Sequence, residues 1–153
     1  MATEIRTEIE IDAPTSAVWD VLVDTSRYGD WNPFIRRLEG ELREGARLEV
    51  EIAPPGARGM TFKPTVLEAD AGRELRWLGR LLVPGLFDGE HRFGLEALPD
   101  GRTRFVQSER FSGILVPFLG KGLRRTQAGF GQMNEALRAE VERPSGLAAP
   151  AAS

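Results

Sequence analysis

Apolar and charged positions alternate along residues 3–11, near the start of the chain. A period of two over this length is typical of a β-strand with one buried face. The pattern changes at Pro14, a residue that suits the first turn of a helix. Apolar residues then recur at helical spacing, at Val18, Val21 and Leu22. We therefore predict a strand and a short helix, with a second short helix around 27–31.

Strands and turns dominate the middle of the chain. Six further strands are predicted, with bounds at 35–41, 47–52, 60–69, 74–81, 87–98 and 102–112. The segment 98–102, Leu-Pro-Asp-Gly-Arg, is typical of a tight hairpin, because proline and aspartate favour a type I turn and glycine accepts the left-handed conformation. The last two strands are therefore predicted to pair directly.

Helical spacing returns between residues 116 and 142. Six apolar residues form one stripe there: Leu119, Leu123, Phe130, Met133, Leu137 and Val141. The small, helix-breaking residues 144–153 predict a disordered tail after a single domain at 1–143. This order of elements predicts an α+β fold, in which a seven-stranded antiparallel sheet curls around the long C-terminal helix.

Composition narrows the classes of function. The chain has 153 residues, a net charge of −3, one histidine and no cysteine. This charge balance disfavours nucleic acid as a partner, and the lack of cysteine excludes disulfides, thiolate catalysis and cysteine-ligated metals. No stretch has the roughly 18–20 apolar residues of a membrane span, and the N-terminal residues lack the apolar core of a signal peptide. We therefore expect a cytoplasmic protein with no metal site and no cofactor.

Two features near the long helix invite other interpretations. Gly120-Lys121-Gly122 lacks the spacing of a phosphate-binding loop, and the pair Arg124-Arg125 is typical of a solvated face. The glycines at 120, 122, 129 and 131 allow two interpretations. They permit close approach of the helix to the sheet, or they leave a cavity where side chains are absent.

The turn at 98–102 sets the register of the last hairpin if Leu98 pairs with Arg102. The facing pairs are then His91 with Glu109, Phe93 with Gln107, and Leu95 with Phe105. Alternation places all of these residues on the inner face of the sheet, together with Trp77. The only histidine is thus predicted to face a carboxylate inside a concavity that is otherwise lined by aromatic rings.

The His91–Glu109 pair has three interpretations, which the residues alone leave open. It can be a buried polar pair that stiffens the sheet, because buried polar groups need partners. It can be a polar anchor for a ligand. It can also be an acid/base pair in which His91 moves the proton and Glu109 orients it.

Loop chemistry differs between the two ends of the predicted sheet. Connections in a meander alternate between its ends, and the loops at one end, 43–46, 70–73 and 99–101, are short and polar. The loops at the other end are longer, apolar and rich in proline and glycine, at 53–59, 82–86 and 113–118. They form either the mouth of a pocket or the closure of a small satellite core.

Several segments resemble a known superfamily. Asp12-Ala13-Pro14, Val18-Trp19 and the run from Tyr28 to Phe34, Tyr-Gly-Asp-Trp-Asn-Pro-Phe, are similar to the N-terminal signature of the SRPBCC superfamily. This superfamily includes START and birch-pollen-allergen-like proteins with the helix-grip fold. The segments 74–77, 87–93 and 111–115 resemble its polyketide cyclase/dehydrase-like branch.

The resemblance implies a seven-stranded antiparallel sheet that grips a C-terminal helix around a deep hydrophobic cavity. Members of the superfamily bind lipids, sterols, polyketides or other apolar molecules, and some cyclise or dehydrate them. No set of catalytic residues is shared across the superfamily, so none is transferred to this chain.

These observations support three hypotheses of function. The first is a protein that binds or carries a small apolar molecule in a cavity of roughly 300–1,000 Å³ between sheet and helix. The second is a cyclase, dehydratase or isomerase that acts on such a molecule through His91 and Glu109. The third is an interaction module that docks through its apolar loops. The predicted ligand contacts are Trp77, His91, Phe93, Phe105, Gln107, Glu109, Phe111, Phe130 and Met133.

Overall fold

The elements follow one another in the predicted order. A computed structural model of the protein describes residues 2–80, 83 and 85–144. The strands within them are β1 (Ala2–Ile11), β2 (Ile35–Glu39), β3 (Glu49–Ile52), β4 (Met60–Phe62), β5 (Thr65–Asp70), β6 (Glu74–Arg80), β7 (Asp88–Ala97) and β8 (Thr103–Ser112). The α-helices are α1 (Thr15–Val23), α2 (Tyr28–Trp31) and α3 (Gly120–Glu142). The predicted disordered tail, apart from Pro144, lies outside the described residues.

The strands form two antiparallel sheets. The larger sheet has the order β1-β8-β7-β6-β5, and the smaller sheet has the order β2-β3-β4. The predicted strand 60–69 is interrupted at Lys63-Pro64 because proline has no backbone N–H to donate to a neighbouring strand. The seven predicted strands are therefore all present, one of them as two pieces. A bridge between Arg47 and Thr65 joins the two sheets at this break.

The hairpin of β7 and β8 has the predicted turn and register. The backbone N–H of Leu98 donates to the Arg102 carbonyl at 2.8 Å, and Gly101 has a φ of 87°, in the left-handed region. The facing pairs are His91 with Glu109, Phe93 with Gln107, and Leu95 with Phe105. The sequence prediction for this hairpin is confirmed.

The long helix α3 packs mainly against β1 and α1. Its apolar stripe supplies three fully buried side chains to the core, Phe130, Met133 and Leu137. The helix begins later than the sequence predicts, because residues 116–118 form a separate 3₁₀ turn and the α-helix starts at Gly120. The second half of α3 therefore fills the space inside the curled sheet.

The glycines of α3 bear out both interpretations, at different positions. At Gly129, a methyl group would lie 2.3 Å from Cδ1 of Phe34, so the missing side chain permits close approach of this ring to the helix. At Gly122, by contrast, no atom lies within 4 Å of the same position, and the residue borders a cavity. The two glycines thus mark where the interface is packed and where it opens.

Residues 2–80, 83 and 85–144 contain neither a membrane-spanning helix nor a cluster of metal ligands. Within these ranges, no helix is both long enough and apolar enough to cross a membrane. The same residues contain no group of three or more histidine, aspartate or glutamate side chains placed to hold a metal ion.

Candidate functional site

A cavity of about 320 Å³ lies between the two sheets and the first half of α3. Its volume falls at the lower end of the range of roughly 300–1,000 Å³ that is typical of ligand pockets. Apolar residues from all three elements line it, among them Val50, Ile52, Phe62, Trp77, Phe111 and Leu123. Such a lining favours an apolar occupant over water.

Aromatic rings surround the only histidine. The His91 ring centre lies 5.3 Å from that of Trp77, 4.5 Å from that of Phe93 and 4.9 Å from that of Phe130. Phe34 packs edge-on against Phe130, with ring centres 5.5 Å apart. Because close-packed rings leave little room for rotation, the imidazole is held in one position at the inner wall of the cavity.

Two polar side chains interrupt the apolar lining at this wall. His91 Nδ1 lies 3.2 Å from Glu109 Oε1, and the two side chains are 1% and 15% exposed. The residues are direct cross-strand partners, and both line the cavity. The structure therefore brings together the polar pair that the turn predicts.

A buried chain of hydrogen bonds continues from this pair to the helix and to β1. His91 Nε2 lies 2.9 Å from Gln107 Oε1, and Gln107 Nε2 donates to Asn134 Oδ1 at 2.8 Å. Asn134 Nδ2 donates to Thr7 Oγ1 at 2.9 Å, and that hydroxyl donates to the backbone carbonyl of Gln107 at 3.2 Å. The chain ties β7, β8, β1 and α3 together through satisfied polar groups.

The direction of this chain determines where His91 carries hydrogen. Because the amide nitrogen of Gln107 donates to Asn134, its oxygen faces His91, and the Nε2 atom must donate to it. The Nδ1 atom is then the one that faces Glu109, with 3.2 Å between Nδ1 and Oε1.

Gly89 leaves room for the carboxylate of Glu109. A methyl group at this position would lie 2.3 Å from Glu109 Oε2 and 3.5 Å from the ring of Phe111. His91 Nε2 contacts Gln107, and Nδ1 faces Glu109 Oε1. Both side chains line the cavity, and the Glu109 side chain, at 15% exposed against 1% for His91, is the more accessible of the two.

The predicted site residues fall into two groups. Trp77, His91, Glu109 and Phe111 line the cavity. The others are buried away from the lining and fill the core behind the inner wall: Phe93, Phe105, Gln107, Phe130 and Met133. Alternation along a strand predicts which face of the sheet a side chain occupies, but not how deep in the concavity it lies. Here α3 fills the deeper half of the concavity, so the side chains at that depth pack in the core.

Two of the three apolar loops contact each other, and the third lines the cavity. Leu115 N donates to the Leu86 carbonyl at 3.1 Å, which connects the loop 113–118 to the described part of the loop 82–86. Leu82 and Pro84 lie outside the described residues. The loop 53–59 contributes Pro54, Ala57 and Arg58 to the cavity lining, whereas the other two loops border it through their neighbours Phe87 and Leu119.

Comparison with known proteins identifies the family. The model of the family described as polyketide cyclase / dehydrase and lipid transport matches residues 2–142. The chain belongs to this family. No curated protein matches the sequence significantly.

Solved structures share the fold of this polyketide cyclase / dehydrase and lipid transport family member. Zhui aromatase/cyclase from Streptomyces sp. R1128 has a TM-score of 0.76 at 17% identity, with 94% of this chain and 95% of that chain covered. A START superfamily protein from Mycobacterium smegmatis has a TM-score of 0.71 at 17% identity, with coverage of 92% and 97%. Ara h 8.0201 has a TM-score of 0.65 at 15% identity, with 92% of this chain and 98% of that chain covered. These likenesses establish the fold alone and confirm the expected SRPBCC helix-grip architecture.

Several cavity residues of this family member were not among the predicted ligand contacts. Val50 and Ile52 could have been predicted from the sequence, because they lie on the apolar face of a predicted strand. Arg58 and Arg125 could not, since only the tertiary fold brings a loop and the helix α3 to the same opening.

Proposed function

We propose that the protein binds a small hydrophobic molecule, of the lipid, polyketide or aromatic type, in the cavity between the two sheets and α3. The observation that carries this proposal is the cavity itself, about 320 Å³ with mostly apolar walls. A dry cavity of about 150 Å³ holds benzene. The volume here therefore suits two six-membered rings or an alkyl chain of similar size.

The open end supports a carrier role, which we place in the cytoplasm. Ile114 and Phe118 stand 71% and 80% exposed on the loop 113–118. Apolar side chains around a mouth favour the passage of an apolar ligand, because they lower the cost of its transfer from water. The family description, which names lipid transport beside polyketide cyclisation, agrees with this class of ligand.

Binding can be tested with N-phenyl-1-naphthylamine, a neutral dye that fluoresces in apolar surroundings. We expect saturable binding by the wild type and about tenfold weaker binding by Gly122→Leu, whose side chain enters the cavity. Gly131→Leu is the matched control, because it adds the same side chain to α3 at a position where nothing lies within 4 Å and that does not line this cavity. Equal affinity in all three proteins, or no binding by the wild type, refutes the proposal.

The natural ligand class can be read from the protein as purified. Native mass spectrometry of the full chain, prepared without detergent, should show an added mass that Gly122→Leu loses and Gly131→Leu retains. A ligand retained equally by Gly122→Leu would lie elsewhere on the protein and contradict the assignment of the site.

One observation favours a second candidate function, an isomerase, cyclase or dehydratase. Glu109 lines the cavity beside His91, with 3.2 Å between Oε1 and Nδ1, and a carboxyl group within reach of a bound molecule can act as a general acid or base. In this candidate Glu109 moves a proton to or from the bound molecule, and His91 positions the carboxylate.

Deuterium exchange distinguishes catalysis from simple binding. The protein and its co-purified ligand are incubated in D₂O, and the mass of the ligand is then measured. Deuterium incorporated at a carbon atom of the ligand by the wild type, but not by Glu109→Gln, supports the enzymatic function. Absence of exchange in the wild type, with the ligand still bound, contradicts the enzyme and leaves the binding function intact.

A further inference from the structure

Three arginines line the outer part of the cavity, and we call them the mouth arginines: Arg58, Arg80 and Arg125. The only carboxylate among the lining residues, Glu109, lies at the inner wall against His91. In a chain with a net charge of −3, the opening of the cavity is thus locally positive. The packing of an apolar pocket does not require this excess of positive charge.

Two of the mouth arginines have no ionic partner among the residues that the structure describes. Arg58 and Arg125 form no ion pair with any described residue, and Arg80 forms only a long contact with Asp88, at 3.8 Å. Most other arginines do form one; Arg37, for example, contacts Glu49 at 2.9 Å. Guanidinium groups gathered at one opening attract an anion, while water and salt screen their mutual repulsion.

The position of Arg125 keeps its guanidinium at the opening. Its Nε atom lies 3.7 Å from the place where a side chain at Gly56 would begin, so Arg125 reaches from α3 to the loop 53–59. Gly56 has a φ of 74°, a conformation that glycine adopts at little cost. The Arg125 side chain therefore lies in van der Waals contact with the loop.

The first half of α3 shows the same excess of positive charge. Lys121, Arg124 and Arg125 lie in its first two turns, and no acidic residue follows before Glu135. Of these three cations Arg125 lines the cavity, whereas Lys121 and Arg124 do not. Arg125 is therefore the one that can contact an occupant.

We propose that the ligand is an amphipathic anion, whose apolar body fills the cavity and whose acidic head group lies between Arg58 and Arg125 at the mouth. This inference rests on the proposed function and adds the class and orientation of the ligand. The head group points outward because the inner wall carries Glu109, which would repel a second anion. Guanidinium groups bind carboxylates and phosphates through paired, charge-assisted hydrogen bonds.

Two dyes that share an apolar body test this proposal. 1-Anilinonaphthalene-8-sulfonate differs from N-phenyl-1-naphthylamine by one anionic group. In the double variant Arg58→Gln/Arg125→Gln, we expect the affinity for the sulfonate to fall about tenfold or more, and the affinity for the neutral dye to remain within about twofold. Added salt should weaken sulfonate binding by the wild type and leave the neutral dye unaffected.

The control is Lys121→Gln/Arg124→Gln, which removes the same charge from residues outside the cavity lining. It should leave both affinities within about twofold of the wild type, because charges that do not contact the head group are screened. If this control weakens sulfonate binding as much as the test variant does, the sulfonate is attracted by the general positive charge of this region and not by contact with Arg58 and Arg125. The inference is then wrong. If the wild type binds neither dye, the proposed function itself fails.

Competition against the neutral dye separates the possible head groups. Dodecanoate, dodecyl phosphate and dodecanol have the same apolar chain and differ only at the head. The proposal is supported if either acid displaces the dye more tightly than the alcohol does and if this difference is lost in Arg58→Gln/Arg125→Gln. The stronger of the two acids then shows whether a carboxylate or a phosphate is preferred. Equal displacement by all three would overturn it, while leaving the binding of apolar molecules established.

Discussion

His91 Nδ1 lies 3.2 Å from Glu109 Oε1 across the hairpin of β7 and β8, at the boundary between a solid core and a cavity. The imidazole also contacts Gln107 through its other nitrogen. The pair thus belongs to a structural hydrogen-bond chain on one side and to a ligand cavity on the other. The structural and functional interpretations of this pair are therefore compatible.

The structural role predicts a loss of stability when the imidazole is removed. In His91→Phe, Gln107 Oε1 and Glu109 Oε1 lose their partner, and each buried polar group without a partner costs about 1–3 kcal/mol. Glu109 can recover part of its cost by turning toward the cavity. We expect the free energy of unfolding, measured in urea, to fall by roughly 2–4 kcal/mol in total. An unchanged value would show that the hydrogen-bond chain contributes nothing to stability.

The direction of the hydrogen-bond chain can be observed directly. The sequence contains one histidine, so ¹⁵N spectra of the imidazole report His91 alone. We expect hydrogen on Nε2 throughout the pH range in which the protein is folded, because this atom donates to Gln107. A neutral ring with hydrogen on Nδ1 alone would mean that the Gln107 and Asn134 amides point the opposite way.

A pair of facing glycines tests the placement of Glu109. Gly79 and Gly89 are cross-strand partners, and both line the cavity. In Gly89→Ala the new methyl group would lie 2.3 Å from Glu109 Oε2, so the carboxylate must move away from His91. In Gly79→Ala the nearest atom is 3.9 Å away. The His91 Nδ1 resonance should shift in the first variant and remain in place in the second, and equal shifts would contradict this placement.

Two glycines of α3 predict opposite effects of the same substitution. Alanine is favoured over glycine inside a helix by about 1 kcal/mol, so Gly131→Ala, where nothing lies within 4 Å, should stabilise the protein. Gly129→Ala should destabilise it by roughly 1–3 kcal/mol, because the methyl group would lie 2.3 Å from the Phe34 ring. Urea unfolding measures both, and stabilisation by Gly129→Ala would show that the Phe34 ring moves at little cost.

The buried hydroxyl of Tyr28 makes the free energy of unfolding depend on pH in the alkaline range. Burial and the nearby Asp24 carboxylate raise the pKa of Tyr28, and its hydroxyl donates to the Leu22 carbonyl. Above the unfolded pKa of about 10, the unfolded chain releases this proton and the folded chain keeps it, so stability falls as pH rises.

The measurement compares the wild type with Tyr28→Phe. The variant should be less stable by about 1–3 kcal/mol near pH 8, because Leu22 loses its donor, and the difference should shrink as pH rises above about 10. Since the chain has one tyrosine, the absorbance of phenolate reports this residue alone. Phenolate that forms before unfolding would contradict the expected burial of the hydroxyl.

The sequence predicted the fold and four of the nine residues expected at the cavity that do line it, for identifiable physical reasons. Local rules determined the alternation in β7 and β8 and the turn between them, and these are sufficient to align His91 with Glu109. The depth of each residue was not predictable in the same way. Phe93 and Phe105 lie on the correct face, but α3 fills the space beside them. The mouth arginines depend on contacts between distant segments, which no periodicity encodes.

The break at Lys63-Pro64 gives the cavity two walls of unequal stiffness. β6, β7 and β8 belong to a continuous five-stranded sheet, whereas β2, β3 and β4 are joined to it through a single bridge and a few backbone hydrogen bonds around Leu48 and Val66. The wall formed by the larger sheet is therefore the stiffer of the two. We expect related ligands of graded size to be accommodated by adjustment of the smaller sheet, whose pairing is separate from that of the larger one.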